Sequence, residues 1–246
     1  MSMAAKLAGL TVLVTRPEQQ ANNLCELIAQ QGGEAVRLPA IDIKAVTVKS
    51  WPNVNDYQVI IFVSRNAVSH FVADLTSPLT TNGLLVAVGK GTAVAMEQHG
   101  LSVDVQPSQA GGSEGLLALA ELKQISGQRI LIVRGVGGRE LLADTLTARG
   151  AKIDYIELYE RCLPTPTKTE IAAALSVDSV VCTSGASLKN LSLLLEQGIT
   201  TLLNKPLIVL SERLKQYAAS LGFTEILVTT DATDQSIVQR LMELGR

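Results

Sequence analysis

Residues 11–39, TVLVTRPEQQANNLCELIAQQGGEAVRLP, and residues 129–157, RILIVRGVGGRELLADTLTARGAKIDYIE, read as one strand-helix-strand unit written twice. In the first, the apolar, β-branched run Leu10–Val14 is a strand and Glu18 to Gln31 is helical. Gly32-Gly33 ends that helix, because glycine takes the left-handed cap conformation without penalty. Strand Glu34–Leu38 follows. In the second, Arg129–Val133, helix Arg139–Arg149, Gly150 and strand Lys152–Leu158 repeat the order.

The match extends outward from both copies. LLVAVGKGTAVAMEQHGLSVDV (84–105) lies over PLIVLSERLKQYAASLGFTEIL (206–227). Val59–Val63 with helix Ala67–Leu75 lies over Val177–Cys182 with helix Leu188–Gln197. Strand Ser102–Gln106 and a helix from Ser113 to about Lys123 close the first copy; strand Glu225–Thr229 and helix 232–244 close the second. A constant offset of about 120 residues means two copies of one architectural unit. Short strands apolar on both sides, alternating with helices, predict α/β domains: open parallel sheets flanked by helices on both faces. Segments 40–47 and 156–164 read as extended connectors between the domains.

Composition narrows the function. With 47% apolar residues the chain can bury a large core, so disorder is excluded. Aromatics at 3% and a formal charge of −2 argue against a nucleic-acid partner, which wants stacking rings and a basic surface. Cys25, Cys162 and Cys182 are too few and too scattered for a disulfide framework or a zinc motif, so no metal and a reducing, cytoplasmic setting are expected. No apolar run approaches the roughly 20 residues of a membrane span. The apolar start of the chain runs into Thr15-Arg16-Pro17 rather than a cleavage site, and reads as a first strand instead of a leader.

Ligands of open parallel sheets bind beyond the carboxyl ends of the strands. Those ends carry Thr15-Arg16, Ser64-Arg65-Asn66, Gly89-Lys90-Gly91-Thr92, Arg134 with Gly137-Gly138-Arg139, Thr183-Ser184, and Ser211-Glu212-Arg213. Each opens a helix whose first N–H groups attract anions. Small hydroxyls and cations together predict a concave site, between two facing sheets, for a ligand with several anionic groups. The same residues would also serve as plain helix caps. RGVGGRE (134–140) and VGKGTA (88–93) lack the full dinucleotide fingerprint, so no nucleotide cofactor is expected.

Catalytic equipment is sparse. His99 precedes Gly100 at a helix end, where a capping role suits it, and His70 reads as structural. No G-x-S-x-G elbow and no metal spacing occur, so triad and metal hydrolysis are disfavoured. Tyr159, in ELYERCLP (157–164), remains. A phenol with a pKa of about 10 keeps its proton at neutral pH and can donate it. It would equally serve as a tyrosine wedged at a hinge.

Taken together, VLVTRP (12–17), FVSRNAV (62–68), VAVGKGTA (86–93), GGSEGLL (111–117), ILIVRGVGGRELL (130–142), LYER (158–161) and TSGASLKNL (183–191) resemble the uroporphyrinogen-III synthase family over nearly the whole chain. The resemblance implies two related α/β domains joined by a two-stranded connector, the first domain being discontinuous. Residues 1–38 with 165–246 would form one domain, 48–153 the other, and 39–47 with 154–164 the connector strands. It implies a lyase reaction without cofactor or metal. Hydroxymethylbilane, a linear tetrapyrrole with eight carboxylates, closes to uroporphyrinogen III with loss of water and inversion of the last pyrrole ring. Tyr159 matches the family's cleft tyrosine and would be the catalytic residue. The substrate-binding set would be Arg16, Ser64, Arg65, Asn66, Gly89, Thr92, Arg134, Gly138, Arg139, Thr183, Ser184 and Ser211. Two departures stand out: Glu212 would repel an anion unless it turns to solvent, and Val63 replaces a frequent Thr. A cytoplasmic monomer is expected, free of membrane and nucleic acid, with transient contact to the preceding pathway enzyme allowed. Two other readings stay open at this point: a non-catalytic two-domain clamp for a small polyanion, and tandem receiver-like domains, which would want acidic rather than basic strand ends.

Overall fold

The computed structural model describes residues 6–75, 78–108, 111–138 and 140–244. The first repeat supplies β1 (Thr11–Val14), α1 (Glu18–Gln30), β2 (Glu34–Arg37), β3 (Asp42–Ala45), β4 (Val59–Phe62), α2 (Arg65–Ala73), β5 (Leu84–Ala87), α3 (Lys90–Gln98) and α4 (Ser113–Ala118). The second supplies β6 (Arg129–Gly135), α5 (Leu141–Ala148), β7 (Lys152–Cys162), α6 (Lys168–Leu175), β8 (Ser179–Val181), α7 (Gly185–Leu195), β9 (Leu207–Val209), α8 (Glu212–Ser220), β10 (Ile226–Val228) and α9 (Asp234–Leu241). The chain divides into two compact units, Met1–Asp42 with Cys162–Arg246, and Ile43–Arg161.

The first unit holds a parallel sheet in the order β2-β1-β8-β9-β10. Counted along the unit, that is 2-1-3-4-5, with the winding direction reversing between β1 and β8. Strand side chains alternate faces, and both faces are buried. Val12, Val14, Val181 and Ile208 pack with Leu24 and Ile28 of α1 and with Ile237 and Leu241 of α9. Leu13, Val180, Cys182, Leu207 and Val209 pack with Leu188 and Leu191 of α7 and with Leu214 and Ala218 of α8. A reciprocal contact joins residues far apart in sequence: the Thr11 N–H (2.8 Å) and hydroxyl (2.6 Å) both donate to the Asp178 carboxylate. These donors, the hydroxyl foremost, hold the Asp178 carboxyl below its ordinary range.

The second unit holds the order β3-β7-β6-β4-β5, with β7, β6, β4 and β5 parallel. Here β6 and β7 stand where β1 and β2 stand in the first unit, and β4 and β5 where β8 and β9 stand. Each sheet thus takes its first strand pair from one repeat and the following strands from the other. In β4, Ile60 and Phe62 enter one core with Phe71 and Met96; Val59 and Ile61 enter the other with Leu142 and Leu146. Residues 43–45 and 154–161, read from the sequence as connectors, pair within this sheet as β3 and the C-terminal part of β7.

Helix α6 was not expected from the sequence, and several expected elements differ in kind or length. Ser102–Gln106 is no strand; only the bridge between Val86 and Val105 forms. The Asp104 carboxylate takes the Leu85 N–H at 2.7 Å, and Pro107 has no N–H to extend a ladder. The helix from Ser113 stops at Ala118, and a short 3-10 turn, Ala120–Leu122, follows it. Arg149 compensates by donating to the carbonyls of Leu117 (2.9 Å) and Leu122 (2.7 Å). The helix expected over 139–149 runs as α5 from Leu141 to Ala148.

Candidate functional site

In a doubly wound sheet the ligand position lies at the strand ends where the winding reverses. In the second unit that point is between β6 and β4. Phe62 ends β4, and Ser64 follows in an extended conformation as the cap of α2, its Oγ accepting the Ala67 N–H at 3.0 Å. The same Oγ lies 2.9 Å from the Tyr159 hydroxyl.

Tyr159 owes its position to a break in register. Arg134 of β6 pairs with Glu157 but Gly135 pairs with Tyr159, so β7 carries one extra residue at Leu158. Strict alternation would send Leu158 and Tyr159 to opposite faces. The bulge turns both into the same core, at 1% and 2% exposure. The Tyr159 ring lies against Gly135, where a Cβ would meet its Cε2 at 2.6 Å and its Cζ at 2.7 Å. His70 of α2 stacks on the ring, with centroids 5.6 Å apart and planes 18° apart. The Arg161 guanidinium carbon is 5.8 Å from the ring centroid.

A cavity of about 280 Å³ opens beside this tyrosine, lined by Val63, Ser113, Arg134, Gly135, Gly137, Gly138, Tyr155, Tyr159 and Arg161, among others. Arg134 is nearly enclosed, with 7% of its side chain exposed. Its Nη1 donates to Glu140 at 3.0 Å and its Nε to the Gly135 carbonyl at 3.2 Å; its Nη2 donates to the Gly137 carbonyl. Gly137 and Gly138 take φ of +69° and +116°, a region costly for other residues, and a Cβ at Gly138 would meet the Arg134 Nη2 at 2.8 Å. The Tyr155 hydroxyl donates to Glu140 at 2.6 Å, and the Tyr155 ring lies 4.8 Å from the Arg134 guanidinium carbon. Burial first, then the Glu140 carboxylate, pushes the Tyr155 phenol up to about 12. The Tyr155 hydroxyl first, then Arg134, holds the Glu140 carboxyl below the usual range.

The structure therefore brings Tyr159, Arg134 and Gly138 around one cavity, with Ser64 bonded to the Tyr159 hydroxyl. Arg65 (exposed) and Asn66 (half-buried) lie in the first turn of α2. Gly89 opens α3, its carbonyl accepting the N–H groups of Thr92 and Ala93 at 3.0 Å, and Thr92 is buried. Arg139 lies outside the described residues. Arg16, Thr183, Ser184 and Ser211 belong to the first unit. There Ser184 caps α7 through the Ser187 N–H (3.0 Å) and Ser211 caps α8 through the Leu214 N–H (3.3 Å). Thr183 is half-buried beside Ser184, and Glu212 faces solvent. Arg16 is paired with Asp234, whose other oxygen accepts from Asn23 at 2.6 Å. Sequence reasoning passed over Tyr155, Glu140 and Arg161 as site residues and took His70 as structural only. Tyr155 and Arg161 lie within four residues of Tyr159, and that proximity was the available signal.

Among the described residues no cluster of three or more His, Cys, Asp or Glu could hold a metal ion, and no helix is long and apolar enough to cross a membrane. A family model described as uroporphyrinogen-III synthase HemD matches residues 22–239. The uroporphyrinogen-III synthase of Escherichia coli (strain K12) is 33% identical, over 94% of this chain and 100% of its own length. That of Salmonella typhimurium (strain LT2) is also 33% identical, over 94% of this chain and 100% of its own. The crystal structure of uroporphyrinogen-III synthetase from Helicobacter pylori 26695 superposes with a TM-score of 0.67 at 13% identity, covering 96% of this chain and 99% of that one. A mutant uroporphyrinogen III synthase from the extremely thermophilic bacterium Thermus thermophilus gives 0.59 at 15%, covering 96% and 100%. The two structures show a shared fold; the family model and the two relatives carry the assignment. The chain belongs to the uroporphyrinogen-III synthase family.

Proposed function

We propose that this chain cyclises hydroxymethylbilane to uroporphyrinogen III, with Tyr159 protonating the hydroxyl that leaves. The observation that carries this is the Tyr159 phenol, bound to a helix-capping serine and lining a cavity that also contains a buried arginine. A plain clamp for polyanions would not need that phenol.

Ser64 Oγ accepts the Ala67 N–H, so its own proton can go to the Tyr159 oxygen. The phenol proton is then free for the substrate. It passes to the hydroxymethyl oxygen, the C–O bond breaks, and water leaves. The charge left on the Tyr159 oxygen is met by Ser64 and by the positive end of α2. The azafulvenium carbon is attacked by the substituted carbon of the last ring, giving a spiro intermediate. The old bond to that ring breaks, and the freed carbon closes on the ring's unsubstituted position. The proton lost there returns to the phenolate. The substrate supplies its own leaving group and electron-rich rings, so the protein's task is largely orientation, which reaches about 7–11 kcal/mol at best.

The substrate's carboxylates are held by helix N-termini and by cations at the strand ends. Arg65, Asn66, Gly89 and Thr92 would serve on the second unit, and Arg16, Thr183, Ser184 and Ser211 on the first. Arg139 completes the set. The domain division is 1–38 with 165–246 against 48–153, and 39–47 with 154–164 join them; the exchange of strand pairs between repeats supports it. We take the protein to be a cytoplasmic monomer in transient contact with the enzyme that makes its labile substrate. Cys25, Cys162 and Cys182 are in no disulfide, which fits a reducing compartment. The test is ionic strength: KM should rise about threefold or more between about 0.05 and 0.5 M salt, since exposed carboxylate contacts are screened. A KM indifferent to salt would argue against a wetted, basic site.

A further inference from the structure

Arg134 presents a problem for a carboxylate ligand. Its guanidinium is largely screened from bulk water, with only 7% of the side chain exposed, so it needs a counter-charge in the free protein. Glu140 supplies it at 3.0 Å, while Glu157 lies 3.8 Å from Nε. Arg134 thus faces two carboxylates, and while Glu140 holds it its charge is not free for an anionic ligand; Arg161 is a second cation among the lining residues. The two glutamates are not equivalent. Glu157 is part of β7 and also accepts the Gly137 N–H at 3.3 Å. Glu140 follows the Gly137-Gly138 turn, and 54% of its side chain is exposed. Its carboxylate can return to water with little desolvation loss, whereas Arg134 cannot follow.

We infer that Glu140 is a built-in stand-in for a ligand carboxylate, occupying Arg134 in the free protein and yielding it to a carboxylate of the substrate. This rests on the proposed reading that the cavity receives a carboxylate-rich ligand. It makes Glu140 a specificity-determining residue. A monocarboxylate must displace Glu140 with one contact. A polycarboxylate already held elsewhere delivers its next carboxylate at high effective concentration and displaces Glu140 readily. The clasp therefore selects for ligands with many acidic groups.

The test is Glu140→Gln, which keeps an acceptor for Arg134 and Tyr155 but removes the charge. With freshly generated hydroxymethylbilane, KM should fall about three- to fivefold, the scale of a partly exposed ion pair, with kcat within about twofold. An unchanged or raised KM, or a joint loss of kcat and KM, would mean the clasp is only structural and would overturn the inference. A second measurement needs neither the variant nor turnover. The wild-type protein, labelled with 13C at glutamate carboxyls, is titrated with and without benzenehexacarboxylate. The Glu140 midpoint should start below the ordinary glutamate value and rise towards it as the probe binds. A midpoint that stays low at saturation, or no binding of the probe, overturns the inference. If the wild type formed no isomer III, the reading of the reaction would fail, and the probe titration alone would decide the role of Glu140.

Discussion

Tyr159→Phe lowers kcat about 100-fold and moves KM by less than about threefold: that is the expected result for a residue that gives its proton in the transition state. The variant keeps the ring against Gly135 and the stack on His70 and loses only the hydroxyl paired with Ser64. One lost hydrogen bond costs about 1 kcal/mol of stability, so the fold should survive. General acid catalysis spans roughly 10²- to 10⁴-fold, and the lower end is expected because the hydroxyl leaves an electron-rich pyrrole that can expel it unaided. Product formed by the variant should also contain more of the uninverted isomer, since slower enzymic closure competes less well with closure in solution. Steady-state kinetics with isomer separation checks both effects. An unchanged kcat would remove Tyr159 from the chemistry.

Gly135→Ala is expected to be damaging at a distance of one atom. The added methyl would lie 2.6 Å and 2.7 Å from the Tyr159 ring and 2.9 Å from the Tyr159 carbonyl oxygen, which also accepts the Val136 N–H at 2.7 Å. Gly135 ends a central strand, so the backbone has little room to retreat, and the tyrosine must move. Overpacking of this kind costs about 1–3 kcal/mol. A displacement near 1 Å at a reacting group can cost about 100-fold in rate, so kcat should fall at least tenfold even in the folded fraction. Denaturant unfolding and kinetics on the same sample separate the two losses. Wild-type kcat in a stably folded Gly135→Ala protein would show that Tyr159 need not stand where it does.

The duplicated strand-helix pattern was legible because it is local. Both faces of β4 and of residues 12–14 in β1 are buried, so these residues are uniformly apolar, and glycine marks the ends of the helices between. Ser64, Ser184 and Ser211 were legible as well, since a serine after an apolar strand can cap the next helix through the N–H three residues on. The exchange of strand pairs was not in the pattern: β1–β2 and β6–β7 are alike enough that neither repeat announces which partner it takes, and only the family resemblance implied it. The bulge was hidden for a similar reason. It depends on Gly135 meeting Tyr159, a pairing 24 residues apart, while the strand's own alternation points the other way. Long-range charge pairing was the main blind spot. Arg16 and Arg134 both read as ligand-facing cations, yet each already has a carboxylate, Asp234 and Glu140 respectively. For Arg134 that occupied guanidinium became the basis of a specificity argument.

The most direct test of the account is the isomer produced. Hydroxymethylbilane is generated fresh, incubated with and without the folded protein, and the uroporphyrins are separated after oxidation. Mostly isomer III with the protein, against isomer I without it, is the predicted result. Isomer I in both samples would contradict the proposed reaction, and with it the role given to Tyr159.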